Sequence, residues 1–157
     1  MLETKKIVRV AIIAAMYAVG TWVLAPISYG PLQFRVSEAL KPIALFSPVY
    51  AGAFVLGNFL ANLTSPFGFW DFGVMAIVDG IAAWLCWWLG RQTQIGGIVL
   101  QAIVISIGVS VFPLWLGGRI PIAITFPFVL LAELVILPVS YWVIWRREDL
   151  QQLLKWN

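Results

Sequence analysis

Ile95–Leu116 reads IGGIVLQAIVISIGVSVFPLWL. It holds no charged residue, and its apolar residues run on without the two-residue alternation of a half-buried strand. A helix that crosses a bilayer needs about 20 such residues. Comparable segments lie on either side, at Lys6–Ile27, Phe69–Gly90 and Ile120–Trp145. Pro48–Ser65 is a shorter apolar helix. Val36–Phe46 is shorter still and polar, with Arg35 before it and Glu38, Lys41 and Pro42 inside it. Gly and Pro mark the breaks at Ser28–Pro31, Pro66–Gly68 and Gly117–Arg119. The pattern predicts an all-α polytopic membrane protein. Residues 1–157 form one domain, a bundle of six transmembrane helices with the second screened from lipid, followed by a polar tail from Arg146 to Asn157.

Composition supports the same class. Of the 157 residues 62% are apolar and 11% charged, against roughly 45–50% and about 25% in a typical globular domain. The mean hydropathy is +0.94. A water-soluble domain of this size could not hide so much apolar surface, so a soluble enzyme, a DNA-binding module and a disordered chain are excluded. The basic start before a long apolar run is read as a first span rather than a cleaved leader. The net charge of +3 is too small and scattered for a nucleic-acid partner. Six spans leave no room for an ATP-hydrolysing domain, and no P-loop is present. The chain has no His and a single Cys, Cys86, and offers no metal or cofactor motif.

Basic residues set the orientation. Six spans put Lys5, Lys6, Arg9, Arg91, Arg146, Arg147 and Lys155 on one side, with Arg35 and Arg119 on the other. The positive-inside rule then places both termini in the cytoplasm. Trp70, Trp115, Trp142 and Trp145 fall near helix ends, where interfacial anchoring is the expected role.

The informative residues are polar ones in apolar segments: Glu38, Lys41, Asp79 and Glu133. A charge at a helix centre costs about 2.5–3.5 kcal/mol on insertion scales, so four unpaired ones would cost on the order of 10 kcal/mol. Pairing or a wet cavity is required, and a functional site is the default inference. With the termini inside, Arg35, Glu38, Asn58, Asn62, Asp71, Asp79 and Glu133 converge on the outer half of the bundle. The spacing by three of Arg35, Glu38 and Lys41 allows ion pairs along one helix; for Arg35 and Glu38, ligand contact is equally open. Asn58 and Asn62 share a face and serve either as interhelical glue or as ligand contacts. Asp79 and Glu133 have no cationic partner in their own helices. Asp71 lies near the interface, where solvation alone could account for it. Gln101, in the inner half of the fifth segment, reads as a packing contact. Small-xxx-small pairs occur at Ala11/Ala15 and Ala14/Ala18, with a ladder at Ala53, Gly57 and Ala61. Such faces serve packing within the bundle or docking of another membrane subunit.

The stretch Ile27-Ser28-Tyr29-Gly30-Pro31-Leu32-Gln33-Phe34-Arg35-Val36-Ser37-Glu38-Ala39-Leu40 resembles the signature of the queuosine precursor transporter family, QueT. Gly57-Asn58-Phe59-Leu60-Ala61-Asn62 resembles a second region of it, and the length and six-span layout agree. The resemblance implies a substrate-binding (S) component of an energy-coupling factor (ECF) importer in a prokaryotic cell membrane. It implies partners too: a transmembrane coupling protein and two ATPase subunits. In S components an A-x-x-x-A motif on the first helix touches the coupling protein, and Ala11/Ala15 match that position. The implied solute is a 7-deazaguanine base or its nucleoside. Glu38, Asp79 or Glu133 could accept its N–H groups, and Gln33, Arg35, Asn58 or Asn62 could donate to its carbonyl. Tyr29, Phe34, Phe69 and Trp70 lie where a flat ring needs aromatic faces. Other flat vitamins would fit such a pocket. A stand-alone proton-coupled carrier and a membrane assembly factor are the rival classes.

Overall fold

The structure is a computed structural model and describes residues 2–28 and 35–154. Every regular element among them is helical: α1 (Leu2–Val23), α2 (Ala25–Ser28), a 3-10 helix (Val36–Phe46), α3 (Tyr50–Ala61), α4 (Met75–Gly90), α5 (Gln94–Val109), α6 (Ile122–Ser140) and α7 (Glu148–Leu154). Short π-helical stretches enter α4 (Trp70–Val74) and extend α5 (Ser110–Gly117) and α6 (Tyr141–Trp145). Their five-residue bonds are seen directly, with Gly118 N donating to Pro113 O and Arg146 N to Tyr141 O, both at 2.8 Å.

Among the described residues four helices are long and apolar enough to cross a bilayer: Thr4–Val23, Trp70–Gly90, Gln94–Gly117 and Ile122–Trp145. At 1.5 Å per residue they reach about 30–36 Å. The two weaker segments are shorter than the sequence predicted or wound differently. Regular helix in the third segment covers only Tyr50–Ala61, about 18 Å. The second segment is 3-10 rather than α. Runs of 3-10 longer than three or four residues are uncommon, so 11 residues of it require tertiary support. That support is visible. In a 3-10 helix each N–H bonds the carbonyl three residues back. Pro42 has no N–H, which leaves the Ala39 carbonyl without that donor. Trp145 Nε1 supplies one at 2.7 Å.

Small residues bring the helices together. Ala14 and Ala18 are buried, and so are Ala53, Gly57 and Ala61 on α3. A Cβ placed on Gly57 would lie 3.2 Å from the Ala14 Cα and carbonyl oxygen, so α1 and α3 touch through their backbones. Trp22 Nε1 donates to the Ala61 carbonyl across the same seam at 2.9 Å. Gly97 plays the matching role at the α4–α5 hairpin, where a Cβ would meet the Gly90 nitrogen at 2.9 Å. The Thr93 hydroxyl caps α5 by accepting from Gly96 N.

The polar tail is partly structured. α7 folds back so that Leu154 is buried, Tyr50 Oη donates to its carbonyl at 2.9 Å, and the Arg9 guanidinium donates to Leu153 O. The start of α1 and the end of the described chain thus lie at one end of the bundle. Trp145 leaves the expected anchoring role as well, being packed against the core beside Tyr141.

Candidate functional site

At three residues per turn, side chains three apart eclipse one another. Arg35, Glu38, Lys41, Ala44 and Ser47 therefore form one edge of the 3-10 helix, and all five are buried. This edge faces α1, α3, α4 and α6, and the charged groups on it are met from each side.

Lys41 Nζ lies 2.8 Å from Asp79 Oδ1 on α4 and 2.5 Å from Glu38 Oε2. The second contact is an ion pair without an aligned hydrogen bond. Tyr17 Oη, on α1, donates to Glu38 Oε1 at 2.5 Å. On α3, Asn58 Nδ2 donates to Asp79 Oδ2 at 2.6 Å, and Asn62 Nδ2 donates to Asn58 Oδ1 at 2.7 Å. Nearer the opposite end of the bundle from α7, the Arg35 guanidinium reaches Asp71 Oδ2 at 3.1 Å and Oδ1 at 3.3 Å. Ser65 Oγ donates to the same carboxylate at 2.6 Å. Buried pairs of this kind hold only while both partners remain; removing one strands a charge at about 3–5 kcal/mol.

Arg35, Glu38, Lys41, Asn58, Asp79 and Glu133 line one enclosed cavity, with Met75, Ile105 and Val109 supplying an apolar wall. The space open to the centre of a water-sized sphere is about 10 Å³, room for about one water molecule. A bicyclic heterocycle therefore needs the walls to part. Two cations face four carboxylates, Glu38, Asp71, Asp79 and Glu133. Glu133 is buried, and its Oε2 has no hydrogen-bond partner among the described residues. Asn62 Oδ1 is likewise buried without a partner. The arrangement is rich in acceptor oxygens, so it suits a solute rich in N–H donors.

The structure thus brings Arg35, Glu38, Asn58, Asp79 and Glu133 together. Asn62 and Asp71 stand behind them, acting through Asn58 and Arg35. Asp71 departs from the solvated role its position suggested. It is fully buried, because the π-helical turn that carries it directs it at Arg35 and Ser65. Arg35 pairs across the bundle with Asp71, 36 positions away, while the predicted intrahelical pair forms between Glu38 and Lys41. Trp70 stacks on Phe112, with centroids 6.2 Å apart and planes at 15°, away from the cavity wall. Phe69 is exposed. Tyr29, Gln33 and Phe34 lie outside the described residues. Ala11 and Ala15 are exposed on α1, whereas Ala14 and Ala18 face α3, which separates the two small-residue pairs by role. Sequence reasoning missed Tyr17. Its signal was its place three residues after Ala14 and one before Ala18, on the buried face.

Comparison with known proteins points one way. A curated relative, "Queuosine precursor transporter QueT" of Lactococcus lactis subsp. cremoris (strain MG1363), is 45% identical over 65 residues. That match covers 40% of this chain and 38% of the relative. No solved structure matches. The sequence profile described as QueT transporter matches residues 7–146, nearly the whole chain, and the chain belongs to that family.

Proposed function

We propose that this chain is the substrate-binding subunit of an ATP-driven ECF-type importer and that it captures a queuosine precursor, a 7-deazaguanine base or its nucleoside, from outside a prokaryotic cell. The observation that carries the reading is the buried carboxylate of Glu133, whose Oε2 lies without a hydrogen-bond partner on the wall shared with Asp79, Asn58 and Lys41. Such an oxygen is costly unless a ligand fills its valence. The guanine-like edge offers a ring N–H beside an exocyclic amine, which one carboxylate can accept together. Membership of the family and the name of the Lactococcus relative support the solute class.

In this reading six segments lie in the membrane, both termini are cytoplasmic, and the 3-10 helix is sheltered by its neighbours. Basic residues near the two ends of the chain favour that orientation. ATP hydrolysis belongs to partner subunits. The exposed Ala11 and Ala15, beside a groove lined by Ile7, Val10 and Leu56, form the surface for the transmembrane coupling protein.

The test is thermal unfolding of the purified chain in detergent with 7-deazaguanine bases, queuine, guanine, flavin and thiamine. A ligand that binds the folded state raises its apparent stability with the logarithm of concentration over Kd. Stabilisation by a deazaguanine is expected. Stabilisation by flavin or thiamine alone would keep the importer class and replace the solute. The unpartnered Glu133 would also serve a proton-coupled carrier. Uptake by proteoliposomes holding this chain alone, driven by a proton gradient, would favour that second reading.

A further inference from the structure

Gln101 is fully buried, and among the described residues neither its side-chain nitrogen nor its side-chain oxygen has a hydrogen-bond partner. Buried polar groups are nearly always satisfied, so an amide orphaned at both ends demands a reason. Its position supplies one. On α5, Ile98 sits three residues before Gln101 and Ile105 four residues after it, so the three share a face. Ile105 lines the cavity, while Ile98 packs with Leu137 and Tyr141 of α6. Higher on the same pair of helices, Ile105 and Val109 pack with Val129. Glu133 lies midway between Val129 and Leu137. Two apolar clusters on the α5–α6 seam are therefore separated by one polar layer, made of Gln101 and Glu133.

We propose that Gln101 is a ligand contact at the deep end of the site and that it reads the ring carbonyl of the solute. The inference rests on the proposed solute class. The Gln101 Nε2 donates to the carbonyl of a cyclic amide. Glu133 accepts from the adjoining ring N–H and exocyclic amine. One edge of the heterocycle thus satisfies Gln101 Nε2 and Glu133 Oε2 together, in a place apolar above and below. A site built to pair a specific polar group rejects an analogue lacking it far better than an apolar pocket rejects an extra methylene. Gln101 then reads the carbonyl, while Glu133 reads the N–H groups, and together they separate an aminopyrimidinone from an aminopyrimidine.

The experiment compares 7-deazaguanine with 7-deazaadenine, which carries an amine in place of the carbonyl and lacks the ring N–H and the 2-amino group, on the wild type and on Gln101→Leu. Both are titrated by calorimetry in detergent, and thermal unfolding without ligand is recorded alongside. Replacing an orphaned amide by an apolar side chain should leave the unliganded protein as stable or more so. The proposal expects Gln101→Leu to weaken 7-deazaguanine binding at least about tenfold and to leave the already weaker 7-deazaadenine binding unchanged. Equal losses for both ligands, or no loss for either, would overturn it while the proposed function stands. A wild type that binds neither base would overturn the solute class, and this inference with it. Should Gln101→Leu fail to fold, Gln101→Met keeps the side-chain length without polar atoms and gives the same reading.

Discussion

Lys41 and Asp79 meet at 2.8 Å in the interior, 38 positions apart in sequence, and tie the 3-10 helix to α4. Their side chains are 2% and 0% exposed, so water does not share the contact. Lys41→Met strands Asp79 and should lower stability by about 3–5 kcal/mol. Lys41→Met combined with Asp79→Leu removes both of these charges but leaves Glu38 without its cation, so it should recover only part of that loss. Thermal unfolding of the two variants in detergent checks the order.

Glu133→Gln should behave differently. Its Oε2 has no protein partner to lose, so folding should change little. A hydrogen bond to a charged group contributes about 1.5–3 kcal/mol, so binding of 7-deazaguanine should weaken on the order of ten- to a hundredfold. Calorimetric titration measures it, and unchanged affinity would remove Glu133 from the site.

The two small-residue faces of α1 should separate cleanly. Ala15→Leu points outward, so it should leave folding and solute binding intact while reducing copurification with the coupling protein. Gly57→Val pushes into the Ala14 backbone and should cost about 1–3 kcal/mol, or abolish folding. Copurification yield and melting temperature, measured on both, tell docking from packing.

Trp145→Phe keeps most of the ring but removes the donor to Ala39 O. An orphaned buried carbonyl costs about 1–3 kcal/mol. Because that carbonyl belongs to the helix that carries Glu38 and Lys41, solute affinity should fall along with stability. A melting temperature that does not move would mean that the indole bond contributes nothing to the winding.

Much of this was legible in the residues. Long apolar runs with few charges announced the four helices that are long enough to cross a bilayer, since a bilayer dictates both length and composition. Charges in apolar segments marked the site, since a membrane tolerates them only for cause. The partnerships were harder to read. Nothing local links Arg35 to Asp71 or Lys41 to Asp79; only the packing of separate helices does. Tyr17 was missed because a tyrosine in an apolar helix looks like core until its hydroxyl is seen to reach Glu38. Gln101 reads as a packing residue in sequence, and that its amide has no hydrogen-bond partner among the described residues is visible only in the structure. The 3-10 winding was present as a spacing of three from Arg35 to Lys41, but the same spacing fits one face of an α-helix.

That winding has a mechanical side. A 3-10 helix turns about 120° per residue and an α-helix about 100°. If Val36–Phe46 relaxed to α, Lys41 would swing about 120° relative to Arg35, and the segment would shorten by about 5–6 Å. The contacts of Arg35 to Asp71 and of Lys41 to Asp79 cannot both survive that rotation. Together they pin the segment just before its start and at its middle, so it cannot unwind to α while both ion pairs hold.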